Sequence, residues 1–166
     1  MRPSWDLHFI SRAQEAALMG TCVRRQVGCV LVDSNNFPLS DGFNGVPKKW
    51  PHCRENPNYE CPGAKANSGK DLDSCYAVHA EINALIHCPD VSRVCTVYCT
   101  TSPCIQCIKA LLCTGATRIV FIAEYPHYES RDLWVRYPGT NLPRTWEQIQ
   151  PDGTTRVLAS SEWKVN

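Results

Sequence analysis

The chain has 166 residues, 17 Lys and Arg against 16 Asp and Glu, a formal net charge of +1, and 11 cysteines. That length fits a single domain over 1–166 with a real core, and the near-cancelling charge offers no field for nucleic acid or an anionic membrane, so a small-molecule substrate is expected and neither of those partners. Residues 1–20 include Asp6, Arg12 and Glu15 and lack an apolar run of signal-peptide length, and no stretch approaches the roughly 20 apolar residues of a membrane span, so a cytoplasmic location is expected.

In chain order, Ser4 is placed to cap a helix from about Trp5, where Phe9, Ala13, Ala16 and Ala17 recur at helical spacing before Gly20. Val27 to Asp33 reads as a strand, Ser34-Asn35-Asn36 as a turn, and Pro38 to Gly42 as the second strand of a hairpin. Residues 46–78 are polar, rich in Pro, Gly, Asn and Cys, and without periodicity. A loop of that length inside a compact domain calls for a function or a tether. A helix from about Val78 or His79 to Cys88, a strand from Arg93 to Thr100, a helix from Cys104 to Thr114 and a strand from Arg118 to Ala123 follow. Strands alternating with helices predict a three-layer α-β-α arrangement, one mixed sheet with helices on both faces. In the extension 127–166, Glu129 to Tyr137 reads as a short helix and Trp146 to Ser160 as a hairpin turning at Pro151-Asp152-Gly153.

The chemistry gathers between His79 and Cys107. His79-Ala80-Glu81 opens one apolar segment and Pro103-Cys104-Ile105-Gln106-Cys107 the next. An imidazole and two thiols at i and i+3 of a helix start supply three ligands of a tetrahedral zinc and leave the fourth position for water, which separates a catalytic from a closed structural site. Pro103 suits the first helical position, and the helix dipole favours the thiolates. Glu81 is then a spare acid/base beside the metal. Either half alone admits a redox pair or half a zinc knuckle; the two together point to catalysis.

The remaining cysteines fall into two groups. Cys29, Cys88, Cys95, Cys99 and Cys113 lie in apolar patterns and are expected to be buried small hydrophobes. Cys22 precedes the first strand, and Cys53, Cys61 and Cys75 lie in the long loop with His52 beside the first. Four thiolates, or three with His52, would close a second, structural zinc site that staples the loop; three unrelated surface thiols is the alternative.

His79-Ala80-Glu81-Ile82-Asn83-Ala84 with Thr101-Ser102-Pro103-Cys104-Ile105-Gln106-Cys107 resembles the cytidine and deoxycytidylate deaminase superfamily, whose signature H-x-E followed by P-C-x-x-C is matched here and not deduced. Thr21-Cys22-Val23-Arg24-Arg25-Gln26-Val27-Gly28 and Asp41-Gly42-Phe43-Asn44-Gly45 narrow the likeness to the dCMP deaminases of bacteria and phages, over about residues 5–126. The resemblance implies a cytidine-deaminase-like fold, a host cytoplasm for a phage-encoded chain, and zinc-dependent hydrolysis of dCMP to dUMP and ammonia. It gives His79, Cys104 and Cys107 as zinc ligands and Glu81 as the proton shuttle. It also implies substrate contacts from Asn44, Ala80 and Tyr125, and places Arg24 at the 5′-phosphate. A turn residue, a strand-end aromatic and an ordinary exposed arginine are the plainer readings of Asn44, Tyr125 and Arg24. Cys22 and Cys53 match positions of a structural zinc in phage relatives; Cys61 and Cys75 complete the set on position alone.

A hexamer regulated by dCTP and dTTP with Mg²⁺ is further implied, with Gly42, Phe43 and Lys48 as candidate effector contacts. Phe43 replaces a more usual Tyr, removing a hydroxyl. Two competing readings remain: a nucleic-acid base deaminase resembling the tRNA adenosine deaminases, disfavoured by charge and by the long insertion, and a silent zinc module, disfavoured because no structural zinc needs Glu81.

Overall fold

The structure, a computed structural model, describes residues 2–53, 55, 61–64, 67, 75–126, 128–136 and 143–159. Helix α1 (Trp5–Ala17) starts where Ser4 stays extended and its hydroxyl accepts the Leu7 amide at 3.2 Å, satisfying one of the orphan donors of the first turn. Then follow β1 (Gly28–Asp33), β2 (Pro38–Phe43), α2 (Ala80–His87), β3 (Val94–Thr101), α3 (Ile105–Leu111), β4 (Arg118–Ala123), α4 (Tyr128–Arg136), β5 (Thr145–Ile149) and β6 (Thr155–Val157). The six strands form one sheet in the order β2-β1-β3-β4-β5-β6. Strands β3, β4 and β5 run parallel, while β1–β2, β1–β3 and β5–β6 pair antiparallel. The mixed sheet of the sequence expectation is therefore present.

Strand alternation splits the core into two layers. Val30, Val32, Tyr98 and Val120 meet Phe9, Ile10 and Ala13 of α1 on one face. Cys29, Leu31, Val97, Cys99, Ile119 and Phe121 face the opposite way, against Ala80 and Ala84 of α2, Ile108 and Leu111 of α3, and Trp134 of α4. Two glycines let helices rest directly on the sheet. A Cβ at Gly28 would stand 1.9 Å from the Ala13 carbonyl oxygen of α1, and one at Gly42 would stand 2.2 Å from the Ala80 oxygen of α2. Any larger residue at Gly42 would lift the start of α2 off the sheet.

The long insertion is clipped at its base. Gly45 and Val78 exchange both backbone hydrogen bonds, at 3.1 and 2.8 Å, so residues 46–77 leave and re-enter the domain at one point and His79 emerges beside Asn44. Much of that loop, together with Tyr137 and Ser160, where the last helix and hairpin were expected to end, lies outside the described residues. The β5–β6 hairpin turns as expected through Asp152, whose carboxylate accepts the Thr154 amide at 2.9 Å, and Gly153 at φ 83.

Several boundaries differ from expectation. Both short helices start later than their motifs: His79 and Cys104 are extended N-caps, and Pro103 lies just before its helix instead of on the first helical position. The cap is where backbone turns from strand to helix, so each cap side chain projects from the end of its helix toward the gap between them. Helix α3 stops at Leu111, and Cys113, expected to be buried, is exposed in the turns that follow; Cys88 and Cys95 are half-buried, whereas Cys29 and Cys99 are fully buried.

Candidate active site

Two helix N-termini meet at the carboxyl end of β3, the edge of an α/β sheet where ligands are usually held. Helix α2 brings His79 and Glu81 there, and the β3–α3 turn brings Cys104 and Cys107. His79 Nδ1 lies 3.4 Å from each thiol sulfur, and the two sulfurs are 3.7 Å apart. Among the described residues this is the one set of three potential ligands whose donor atoms all lie within 4.8 Å of one another. On a tetrahedral zinc with Zn–S of about 2.3 Å and Zn–N of about 2.0–2.1 Å, two sulfurs stand about 3.8 Å apart and a sulfur and a nitrogen about 3.6 Å. The donor types and their separations both fit that ion.

Glu81 is the fourth polar member. It is 4% exposed, and its Oε2 accepts from the Cys107 thiol at 3.5 Å. Burial raises its pKa from the ordinary carboxylate value, and the positive charge of His79 opposes that rise. Around it the cluster shares protons. The contact with Cys107 holds Cys104 down to about 4, against the effect of burial and with His79 assisting, and the same contact drives Cys107 far above the usual thiol range. The Cys104 contact raises His79 in turn, with burial opposing. The buried negative charge is thus balanced by protons, which a divalent cation on the same donors would displace.

A cavity of about 320 Å³ opens above the cluster, in the size range of small-ligand clefts. His79, Ala80, Glu81 and Cys104 form its floor; Arg24, Asn44 and Tyr125, all named from sequence, line it too. Asn44 is buried and its amide is committed to backbone: Oδ1 accepts from Val27 N at 2.8 Å and Nδ2 donates to Arg25 O at 2.7 Å. It therefore fixes the loop that carries both arginines. Arg24 Nη1 donates to Gly63 O at 3.0 Å and Nη2 to Asn67 O at 2.7 Å, tying the cavity wall to the insertion.

Sequence reasoning missed Arg25 and Ser102, which also line the cavity. Ser102 Oγ accepts the Tyr125 amide at 2.7 Å and so fixes the backbone that carries that ring. The signals were there, an arginine pair and a serine directly preceding the Pro-Cys turn.

Of the other sequence candidates, Cys22 and Cys75 line the same cavity. The Cys61 thiol is in contact with both Cys53 and Cys75; burial, then Cys61, then the nearby Cys22 and Cys75 push Cys53 up to about 11. His52 Nδ1 instead faces Glu55 at 2.9 Å. Gly42, Phe43 and Lys48 do not line the cavity: Gly42 is buried under α2, the Phe43 carbonyl accepts from Asn83 Nδ2 at 2.9 Å, and Lys48 is exposed.

The deoxycytidylate deaminase of Mycobacterium phage D29 is 34% identical over 127 residues, covering 74% of this chain and 98% of the phage protein. Those of Schizosaccharomyces pombe and Saccharomyces cerevisiae are 37% and 35% identical over 75% of this chain, which spans only 38% and 39% of their lengths. The crystal structure of a dCMP deaminase from cyanophage S-TIM5 superposes with a TM-score of 0.60 at 24% identity, over 81% of this chain and 92% of that one, and shares the fold. The sequence model described as the cytidine and deoxycytidylate deaminase zinc-binding region matches residues 3–123, and the chain belongs to that zinc-binding deaminase family.

Proposed function

We propose that the protein converts dCMP to dUMP and ammonia by hydrolysis. The observation that carries this reading is Glu81: a buried carboxyl 3.5 Å from a thiol of a cluster of three potential metal ligands, lining a cavity that two arginines also line. The near full-length phage D29 relative, a deoxycytidylate deaminase, supports it, as does the binding of dCMP and dUMP by the cyanophage protein.

His79, Cys104 and Cys107 would hold zinc, which when bound supplies a Lewis acid that lowers the pKa of water to about 7. Glu81 receives the proton released as the water oxygen bonds to C4 of the cytosine. It then delivers protons to N3 and to the exocyclic nitrogen; the C4–N bond breaks and ammonia leaves, so one water is consumed for each amine released. Ala80 and Tyr125 flank the base, Asn44 holds the loop beside the sugar, and the phosphate is received at the mouth, where sequence reasoning named Arg24.

The same proposal extends to the surroundings of the site. Cys22, Cys53, Cys61 and Cys75 hold a structural zinc that tethers the insertion, supported by the contacts of the Cys61 thiol. The chain acts in the cytoplasm as a homo-oligomer, a hexamer by resemblance. No helix among the described residues is long and apolar enough to cross a membrane. Response to dCTP or dTTP with Mg²⁺ near Phe43 and Lys48 belongs to the same proposal.

The test is ammonia release across dCMP, deoxycytidine, CMP, guanine and an RNA hairpin. Preferential turnover of dCMP is expected. Turnover of the RNA in preference to dCMP would favour a nucleic-acid base deaminase instead.

A further inference from the structure

We propose, on the dCMP reading just given, that Arg25 is the residue that reads the substrate's phosphate and that Arg24 is a positioning residue for the cavity wall. Arg24 and Arg25 are the two arginines lining the cavity, and their surroundings differ. Both terminal nitrogens of Arg24 already donate to main-chain oxygens, at Gly63 and Asn67. That guanidinium is half-buried and faces the insertion, and turning it toward an anion would break two hydrogen bonds and release the loop.

Arg25 is exposed, and its guanidinium carbon lies 5.9 Å from the centre of the Tyr125 ring. A cation–π contact of this kind consumes none of the five N–H donors, which remain able to grip a phosphate bidentately. Both partners stand on fixed backbone. Asn44 holds the Arg25 carbonyl at 2.7 Å and the Val27 amide at 2.8 Å, and Ser102 holds the Tyr125 amide at 2.7 Å. Arg25 is therefore a long flexible cation on a rigid base, resting against the aromatic that borders the base-binding space. A dianion entering above Glu81 meets it with its whole fork available. The arrangement also accounts for the way Asn44 spends its amide, on the backbone of the residue whose side chain must be aimed.

The experiment compares steady-state kinetics on dCMP and deoxycytidine for the zinc-loaded full chain and for Arg25→Ala, Arg25→Lys and Arg24→Ala. Arg25→Ala is expected to raise KM for dCMP about ten- to hundred-fold, the loss of a charge-assisted bidentate contact, with a much smaller change in kcat and in deoxycytidine turnover. Arg25→Lys is expected to restore part of the loss, since it keeps the charge without the fork. Arg24→Ala is expected to weaken both substrates alike and to lower the melting temperature. A selective dCMP loss at Arg24→Ala that is absent at Arg25→Ala would overturn the assignment, as would an Arg25→Ala that leaves the dCMP preference intact or weakens both substrates equally. A wild-type chain with no preference for dCMP over deoxycytidine would overturn the underlying reading and the assignment with it.

Discussion

Two clusters of buried polar side chains occupy opposite faces of the sheet, and they are built to opposite ends. On the α1 face, Arg118 lies between two carboxylates: its guanidinium donates to both oxygens of Asp6 at 2.7 and 2.9 Å and to both oxygens of Glu147 at 2.9 and 2.6 Å. The Tyr98 hydroxyl adds a bond to Asp6 and the Thr145 hydroxyl one to Glu147, each at 2.7 Å. Every strong donor has an acceptor within the protein. On the other face, His79, Glu81, Cys104 and Cys107 balance their charge by sharing protons across sulfur contacts of 3.4 to 3.7 Å, and their donor set completes itself on a cation from outside. The first cluster ties α1 to the sheet, whereas the second leaves its interaction capacity for metal, water and substrate. Polarity buried for stability is closed by the chain; polarity buried for chemistry is left open to a ligand.

The sharpest way to break this contrast is at Glu81. Glu81→Gln keeps shape and hydrogen-bonding capacity but removes the proton shuttle, so dCMP turnover should fall by about 10²- to 10⁴-fold. Zinc content and unfolding midpoint should hold or rise, because the buried carboxyl does not ligate. Metal analysis and turnover on the same sample check it. Zinc loss in this variant would make Glu81 a ligand or a support of the site.

Arg118→Met should invert the pattern. Removing the shared cation strands two carboxylates, and breaking a buried pair typically costs 3–5 kcal/mol. The Arg118 side chain is 28% exposed, so about 3 kcal/mol is expected. Urea unfolding should show that loss, while turnover per folded chain changes little. A drop in turnover at unchanged stability would place Arg118 in the chemistry.

Acid should act on the same network. Burial alone would raise Asp6 and Glu147, but hydrogen bonds and charge from Arg118, with Tyr98 and Thr145, hold both below their ordinary values. A carboxylate lowered in the fold adds stability above its unfolded pKa of about 4, and that contribution disappears as pH falls through the folded value. The stability gap between wild type and Arg118→Met should therefore be full near neutrality and shrink below about pH 4. Taking the difference between the two proteins cancels acid release of zinc; a gap independent of pH would remove the carboxylates from the account.

A smaller loss of stability than at Arg118 should follow at Cys61. Cys61→Ser should cost a zinc equivalent and shift the melting temperature by several degrees, about 2–4 °C for each kcal/mol lost in a chain of this size, while the His79 site retains metal and partial turnover. Unchanged zinc content would leave these thiols without a metal role.

The two clusters were unequally legible in the sequence. His79, Glu81, Cys104 and Cys107 could be read because ligation restricts residue type and spacing together. Their helices nonetheless begin later than expected, since a cap residue and a first helical residue look alike until the backbone is seen. Arg118 carried no such signal. It reads as one charged residue opening a strand, and its partner Asp6 lies 112 positions away, a pairing set by topology alone. Asn44 was found by its motif, but its use as a clamp on the backbone of Arg25 and Val27 was hidden, because side-chain to backbone bonds leave no pattern in composition. Cys113 was misplaced for a simpler reason: an apolar run continued past the end of its helix into an exposed turn.

The central claim, that the open cluster is a zinc-dependent dCMP deaminase site, is tested most directly by dUMP formation from dCMP with chelator-stripped protein, before and after zinc is returned. No turnover is expected from the stripped protein, and recovery is expected with zinc. Turnover by the stripped protein, or its absence after metal analysis confirms that zinc has reloaded, would contradict that claim.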